Sequence, residues 1–164
     1  MRYHNITKDD MLNGEGLRTV LWVAGCNHNC PECHNPVTWD IRGGLPFDQA
    51  AKEELFEELG KDYISGVTLS GGDPLHPRNR EDIGRLIGEI RDRFPGKTIW
   101  LYTGYEWEQI CDLPFIRGVD VVVDGEFIAG LKDNNLHWKG SSNQRVIDVQ
   151  RSLLTGQAVL YEEH

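Results

Sequence analysis

The sequence predicts an α/β protein built on a parallel sheet with crossover helices. Strand-like and helix-like segments alternate from Thr19 to Val123, the rhythm that puts a helix between successive parallel strands. The strand-like pieces are short, apolar and rich in Val and Ile, as buried strands are. The 164 residues fall within the usual size of one domain, roughly 100–200 residues, and suffice for a proper core.

The elements follow in order. Thr19–Ala24 is β-branched and apolar and ends at Gly25, directly before a run of cysteines. Asp48 is placed to cap a helix through Leu59, with Ala51, Leu55 and Leu59 on one face and Gly60 closing it. Val67–Ser70 is a short strand ending in Gly71-Gly72. Asn79 or Arg80 opens the most regular helix, in which Ile83, Leu86, Ile87 and Ile90 recur at i, i+3, i+4 and i+7 until Pro95-Gly96 stops it. Thr98–Thr103 is a third strand, a short helix lies near Glu106–Cys111, and Val119–Val123 is a fourth strand. No element is assigned beyond Asp124, and there is no internal repeat or low-complexity run. Ligands of parallel sheets sit beyond the carboxyl ends of the strands. Cys26, Gly71-Gly72-Asp73 and Gly104-Tyr105 follow the first three strands and are expected on that one edge.

Composition excludes some functions. A net charge of −9 argues against nucleic acid, whose phosphates need Lys and Arg clustered on one face, and equally against anionic membranes. No segment approaches the ~20 apolar residues of a membrane helix, and Met1–Asn5 lacks the apolar stretch of a signal peptide. The expectation is a cytoplasmic protein, whose thiols stay reduced.

Cys26-Asn-His-Asn-Cys30-Pro-Glu-Cys33 packs three thiols into eight residues. Thiolates hold iron–sulfur clusters, and a full cubane takes four. The fourth cysteine, Cys111, is distant in sequence and reads as a small buried hydrophobe on a short helix. A three-ligand cluster leaves one iron open for a small chelating molecule. Two alternatives stand on spacing alone. One is a structural zinc site completed by His28 or His34. The other is an electron carrier whose cluster is closed by Cys111.

The segment from Gly14 and Gly16 through Arg18, Trp22, Gly25-Cys26, Cys30, Cys33, His34 and Asn35 resembles the signature of radical S-adenosylmethionine activases that install glycyl radicals. Trp22 stands where that family usually has Phe. Glu32 stands where the wider superfamily often has an aromatic residue, and His34 offers a flat ring beside it. Ser70-Gly71-Gly72-Asp73-Pro74-Leu75 resembles the family's glycine-glycine-acid motif, with Asp73 in place of the commoner Glu. His76-Pro77, Tyr102-Thr-Gly-Tyr105, Val121–Phe127 and Trp138–Gln144 are similar to the subfamily acting on anaerobic ribonucleoside-triphosphate reductase. The region Cys33–Asn35 with Thr38-Trp39-Asp40 also resembles the formate acetyltransferase activase.

The resemblance implies one activase domain over residues 1–164, a compact partial (β/α) barrel of the radical-SAM type with mostly parallel strands. It implies a [4Fe–4S] cluster on Cys26, Cys30 and Cys33. It places S-adenosyl-L-methionine against Glu32, Cys33, His34, Gly71, Gly72 and Asp73, the Asp73 carboxylate neutralising the methionine ammonium. No catalytic residue beyond the cluster and S-adenosylmethionine is implied, because a hydrogen atom moves rather than a proton. The implied partners are the large glycyl-radical subunit of anaerobic ribonucleoside-triphosphate reductase and a reduced flavodoxin-like donor. The short chain leaves little sequence for a lid, so the partner's glycine loop is expected to complete the cavity. Arg18 either pairs with an acid of partner or ligand or covers the end of the first strand; the structural role is preferred.

Overall fold

In the computed structural model, residues 1–25 and 43–162 are described. Seven strands form one sheet: β1 (Arg2–Asp10), β2 (Arg18–Val23), β3 (Leu45–Pro46), β4 (Gly66–Gly71), β5 (Thr98–Tyr102), β6 (Val121–Asp124) and β7 (Arg145–Asp148), in the spatial order β3-β1-β2-β4-β5-β6-β7. The helices are α1 (Gln49–Leu59), α2 (Arg80–Arg93), α3 (Trp107–Ile110) and α4 (Val149–Thr155).

The central strands β2, β4, β5 and β6 are parallel and lie side by side in chain order. Their inward residues Leu21, Val23, Val67, Leu69, Ile99, Leu101 and Val122 form one core with residues from all four helices. The α2 stripe of Ile83, Leu86, Ile87 and Ile90 is buried as its spacing predicts. α1 begins where Asp48 accepts a hydrogen bond from the Ala51 amide at 3.0 Å, and Gly60 caps its other end. With each of the four described helices packed into the same core, the opposite face carries, among the described residues, a smaller cluster. There Trp100, Val121 and Val123 pack with Trp138, Val146 and Tyr161.

The expectation of mostly parallel strands is corrected by the flanks. β1 pairs antiparallel with both β2 and β3, and β7 pairs antiparallel with β6. The sheet is therefore mixed. The physical reason is local: β1 reaches β2 through a short turn, in which Asp10 Oδ1 accepts from the amides of Leu12 and Asn13, both at 2.9 Å. A parallel neighbour would need a long crossover. β7 is likewise delivered by the loop following β6.

Arg18 settles into the structural role. It is fully buried at the amino end of β2, where it lines up with Gly66 of β4, itself opposite Thr98 of β5. Its guanidinium donates to Thr68 Oγ1 (2.9 Å), Glu15 O (3.0 Å), Thr98 Oγ1 (2.8 Å), Val67 O (2.8 Å) and Thr98 O (2.9 Å). All five N–H donors are thereby used, and burial pulls its pKa down to about 10. Gly14 and Gly66 leave the room it needs: a Cβ on either would come within 2.7 and 2.8 Å of its side chain.

Two predictions follow from this packing. Arg18→Lys keeps a charge but cannot serve five acceptors, and should lower stability by roughly 2–4 kcal/mol in urea denaturation of the cofactor-free protein. Burial also pushes the hydroxyls of Tyr102 and Tyr161 well above the usual 10.0, helped at Tyr161 by its hydrogen bond to Glu15. Both keep their protons in the fold where the unfolded chain loses them, so stability should decline as pH rises past that value. Ultraviolet titration should show these two phenols ionising only as the protein unfolds.

Candidate functional site

The carboxyl ends of the parallel strands are stitched together in sequence. At the end of β2, three consecutive carbonyls are held by the loop after β4. Val23 O accepts from the Gly72 amide at 2.9 Å, Gly25 O from the Asp73 amide at 2.6 Å, and Ala24 O from Asn79 Nδ2 at 2.9 Å. Gly71 makes the approach possible, with φ at +116° and a Cβ position only 2.4 Å from the Val23 backbone N and O. No other residue type fits there. Gly25, with φ at +101°, then turns the chain out of the strand. Cys26, Cys30 and Cys33, with Glu32 and His34, follow it in sequence and lie outside the described residues.

Asp73 sits beneath this junction and is 1% exposed. Its Oδ1 accepts from the Leu75 amide and Thr103 Oγ1, both at 2.9 Å, and its Oδ2 from Thr103 Oγ1 and the Gly104 amide, both at 3.0 Å. The side chain thus binds the β4 loop to the β5 loop. The β5 loop continues the line, with Thr103 N bonded to Val123 O and Gly125 N to Tyr105 O, each at 3.0 Å. Gly71–Asp73 and Gly104-Tyr105 therefore meet on one edge as expected, joined there by Gly25 and Asp124-Gly125; the third expected member, Cys26, lies outside the described residues.

Asp124, buried at the end of β6, accepts from the Trp107 amide at 2.8 Å and from Arg145 at 2.6 Å. Arg145 also reaches Glu108 at 2.7 Å, which holds the Glu108 carboxyl below the usual carboxylate range. The Trp138–Gln144 segment is a strap over this corner. Gln144 Oε1 accepts from the Gly140 amide and its Nε2 donates to Gly125 O, both at 2.9 Å, while the Tyr102 hydroxyl donates to Trp138 O at 2.7 Å. Cys111 is the C-cap of α3, half-buried against the main core, its thiol 3.9 Å from Glu108 O.

Sequence reasoning missed Asn79 and Thr103 as parts of this edge. An Asn before a helix ordinarily reads as an N-cap, and here the side chain makes no capping bond. The signal for Thr103 was its position directly after a strand, beside a glycine.

The family described as 4Fe-4S single cluster domain matches residues 12–147. The chain is 47% identical over 146 residues to the anaerobic ribonucleoside-triphosphate reductase-activating protein of Enterobacteria phage T4, covering 89% of this chain and 93% of that one. It is 43% identical over 150 residues to the protein of that name from Escherichia coli K12, with 89% and 97% covered. The Vibrio cholerae protein of that name is 39% identical over 151 residues, with 88% and 96% covered. The chain thus belongs to the 4Fe-4S single-cluster domain family and, more narrowly, to the group of anaerobic ribonucleoside-triphosphate reductase-activating proteins.

The Asp73–Thr103 bond is testable. Thr103→Val and Asp73→Asn should each cost about 1–3 kcal/mol. Their double-mutant cycle should return a coupling of roughly 1 kcal/mol or more, read by denaturant unfolding of the single and double variants.

Proposed function

We propose that the chain is a radical S-adenosylmethionine enzyme that activates anaerobic ribonucleoside-triphosphate reductase by placing a glycyl radical on its large subunit. The observation that carries this reading is the junction at the end of β2. The backbone that leads into Cys26 is locked to Gly72 and Asp73, so the strand end that enters the proposed ligand run and the proposed S-adenosylmethionine loop are one mechanical unit. The names of the relatives support the reductase as target.

The residues fit the group. Three thiols in eight residues are a soft donor set suited to an iron–sulfur cluster. Gly72 has no side chain to keep the cosubstrate from the backbone, and Gly71 lets this loop lie against β2. Cys111 packs against the core beside α3, which supports three protein ligands rather than four. When bound, the cluster supplies one electron to S-adenosylmethionine, whose cleavage gives methionine and a 5′-deoxyadenosyl radical able to take a glycine hydrogen atom.

The chain's own part is placement and exclusion. Cys26, Cys30 and Cys33 would hold the cluster, and Gly71, Gly72 and Asp73 with Glu32, Cys33 and His34 would receive S-adenosylmethionine. Asp73 has a second part in this reading. Its carboxylate accepts from Leu75, Thr103 and Gly104, so its contribution is to shape the loop, with backbone groups beside it offered to the methionine end. A reactive radical requires a closed, dry cavity, completed by the partner's glycine loop. Chain-order strands and one helix-covered face support a partial (β/α) barrel of the radical-SAM type, one domain over residues 1–164. In such barrels the chemistry sits at the carboxyl face. A reduced flavodoxin-like donor and a cytoplasmic setting complete the reading; among the described residues no helix is long and apolar enough to cross a membrane.

The reading is checked by anaerobic incubation of the reduced protein with S-adenosylmethionine and either the reductase or formate acetyltransferase. A glycyl-radical doublet should appear by EPR on the reductase alone. A doublet on formate acetyltransferase alone would transfer the assignment, and zinc without sulfide in the isolated protein would end it. Cys26→Ser, Cys30→Ser and Cys33→Ser should each abolish the signal, whereas Cys111→Ser should leave iron content unchanged.

A further inference from the structure

Asn79 stands at the N-cap of α2 yet gives its side chain to something else. It is fully buried, and its Nδ2 donates to Ala24 O at 2.9 Å and to Asp73 O at 3.1 Å. Those two carbonyls belong to the two loops that meet at the end of β2. An N-cap Asn normally accepts a hydrogen bond from the first turn of its helix, a contact that stabilises the helix start. Here that contact is absent, and Asn79 Oδ1 is buried without a hydrogen-bond partner among the described residues. A buried amide oxygen left unpaired costs free energy. The sequence thus gives up a cap and, among the described residues, leaves an acceptor unsatisfied, and what it obtains in return is one NH₂ group bridging Ala24 and Asp73.

We propose that Asn79 is a positioning residue for the cofactor site: its amide locks the chain entering the cysteine run to the loop that receives S-adenosylmethionine. The inference rests on the function proposed above and deepens it, because neither the cysteine ligands nor the glycine loop includes this residue. Val23 O and Gly25 O are held by backbone amides that any residue would supply. Ala24 O, between them, is held by a side chain. Two carbonyl oxygens cannot bond each other, and a small group with two N–H donors joins them where Ser, Asp or Ala does not. The tie fixes the direction in which the backbone leaves β2 relative to Gly72 and Asp73.

The test uses the full chain with Asn79→Ser and Asn79→Ala. Serine is a good N-cap residue, so Asn79→Ser restores the helix start while removing the bridge, and it keeps the experiment readable if Asn79→Ala does not fold. The first readout needs no cofactor: hydrogen exchange at the Gly72 and Asp73 amides, against Leu101 and Val122 in the core strands. The second is the S-adenosylmethionine concentration giving half the change in the EPR spectrum of the reduced, reconstituted cluster. In Asn79→Ser, exchange at Gly72 and Asp73 should quicken about tenfold, the factor one net hydrogen bond supplies, with Leu101 and Val122 unaltered. The half-effect concentration should rise by a similar factor at wild-type iron and sulfide content.

Unchanged exchange at Gly72 and Asp73 would overturn the inference. So would exchange that rises only in step with Leu101 and Val122, which marks a general loss of stability. Faster local exchange with an unaltered response to S-adenosylmethionine overturns it as well. A wild-type spectrum indifferent to S-adenosylmethionine would instead sink the proposed function, and the exchange data would still decide whether Asn79 makes the tie.

Discussion

The register of β2 against β4 is the constraint on which the rest depends. Arg18 lies opposite Gly66 at one end and Val23 opposite Gly71 at the other. A slip of one residue would turn Leu21 and Val23 out of the core and bring Val20 and Trp22 into it. Each end is pinned by a different device. At the amino end a guanidinium reaches across to β4 and β5, where Gly66 leaves it room. At the carboxyl end Gly71 lets two backbones meet more closely than any Cβ permits. The pinned register puts Gly25 beside Gly72 and Asp73, which is where the chemistry is proposed.

Buried acids do the remaining work along that edge. Asp73 takes neutral donors from its own loop and from the β5 loop, and Asp124 takes the Trp107 amide and the Arg145 guanidinium. Each carboxylate sits at or just past the end of a parallel strand and satisfies an amide of the connection that follows β5, Asp73 that of Gly104 and Asp124 that of Trp107. Loops are ordinarily the mobile part of an α/β protein. Here their amides are bound to groups fixed by the sheet, so a reaction site made from loops acquires the rigidity of strands.

Much of this was legible in the sequence, for definable reasons. The α2 stripe and the α1 caps were readable because periodicity and capping are local. The parallel strands were readable because strands buried on both faces are continuous apolar runs. β1 was not, since Arg2–Asp10 is polar and buries only Ile6 fully. It is a strand because β2 offers it a partner, and that information is not in its own residues. β3 and β7, at two and four residues, fall below the length at which alternation means anything. At the site, the glycine pair and its place after β4 were readable. The inward turn of Asp73 and the bridging by Asn79 were not, because both depend on what a neighbouring strand presents.

The segment that follows α4 has a bearing on how the molecule folds. Residues 159–161 run beside β7, with Asp148 N bonded to Val159 O and Tyr161 N to Val146 O, both at 2.8 Å. Tyr161 lies over Trp100, its ring 5.2 Å away, and its hydroxyl meets Glu15 from the other end of the chain. The parallel strands and their crossover helices can assemble much of the core from segments near one another in sequence. The indole of Trp100 and the buried guanidinium of Arg18 beside it take part of their cover from Tyr161, far along the chain from both. That side of the sheet therefore waits on contacts between distant parts of the chain, which close more slowly than local ones.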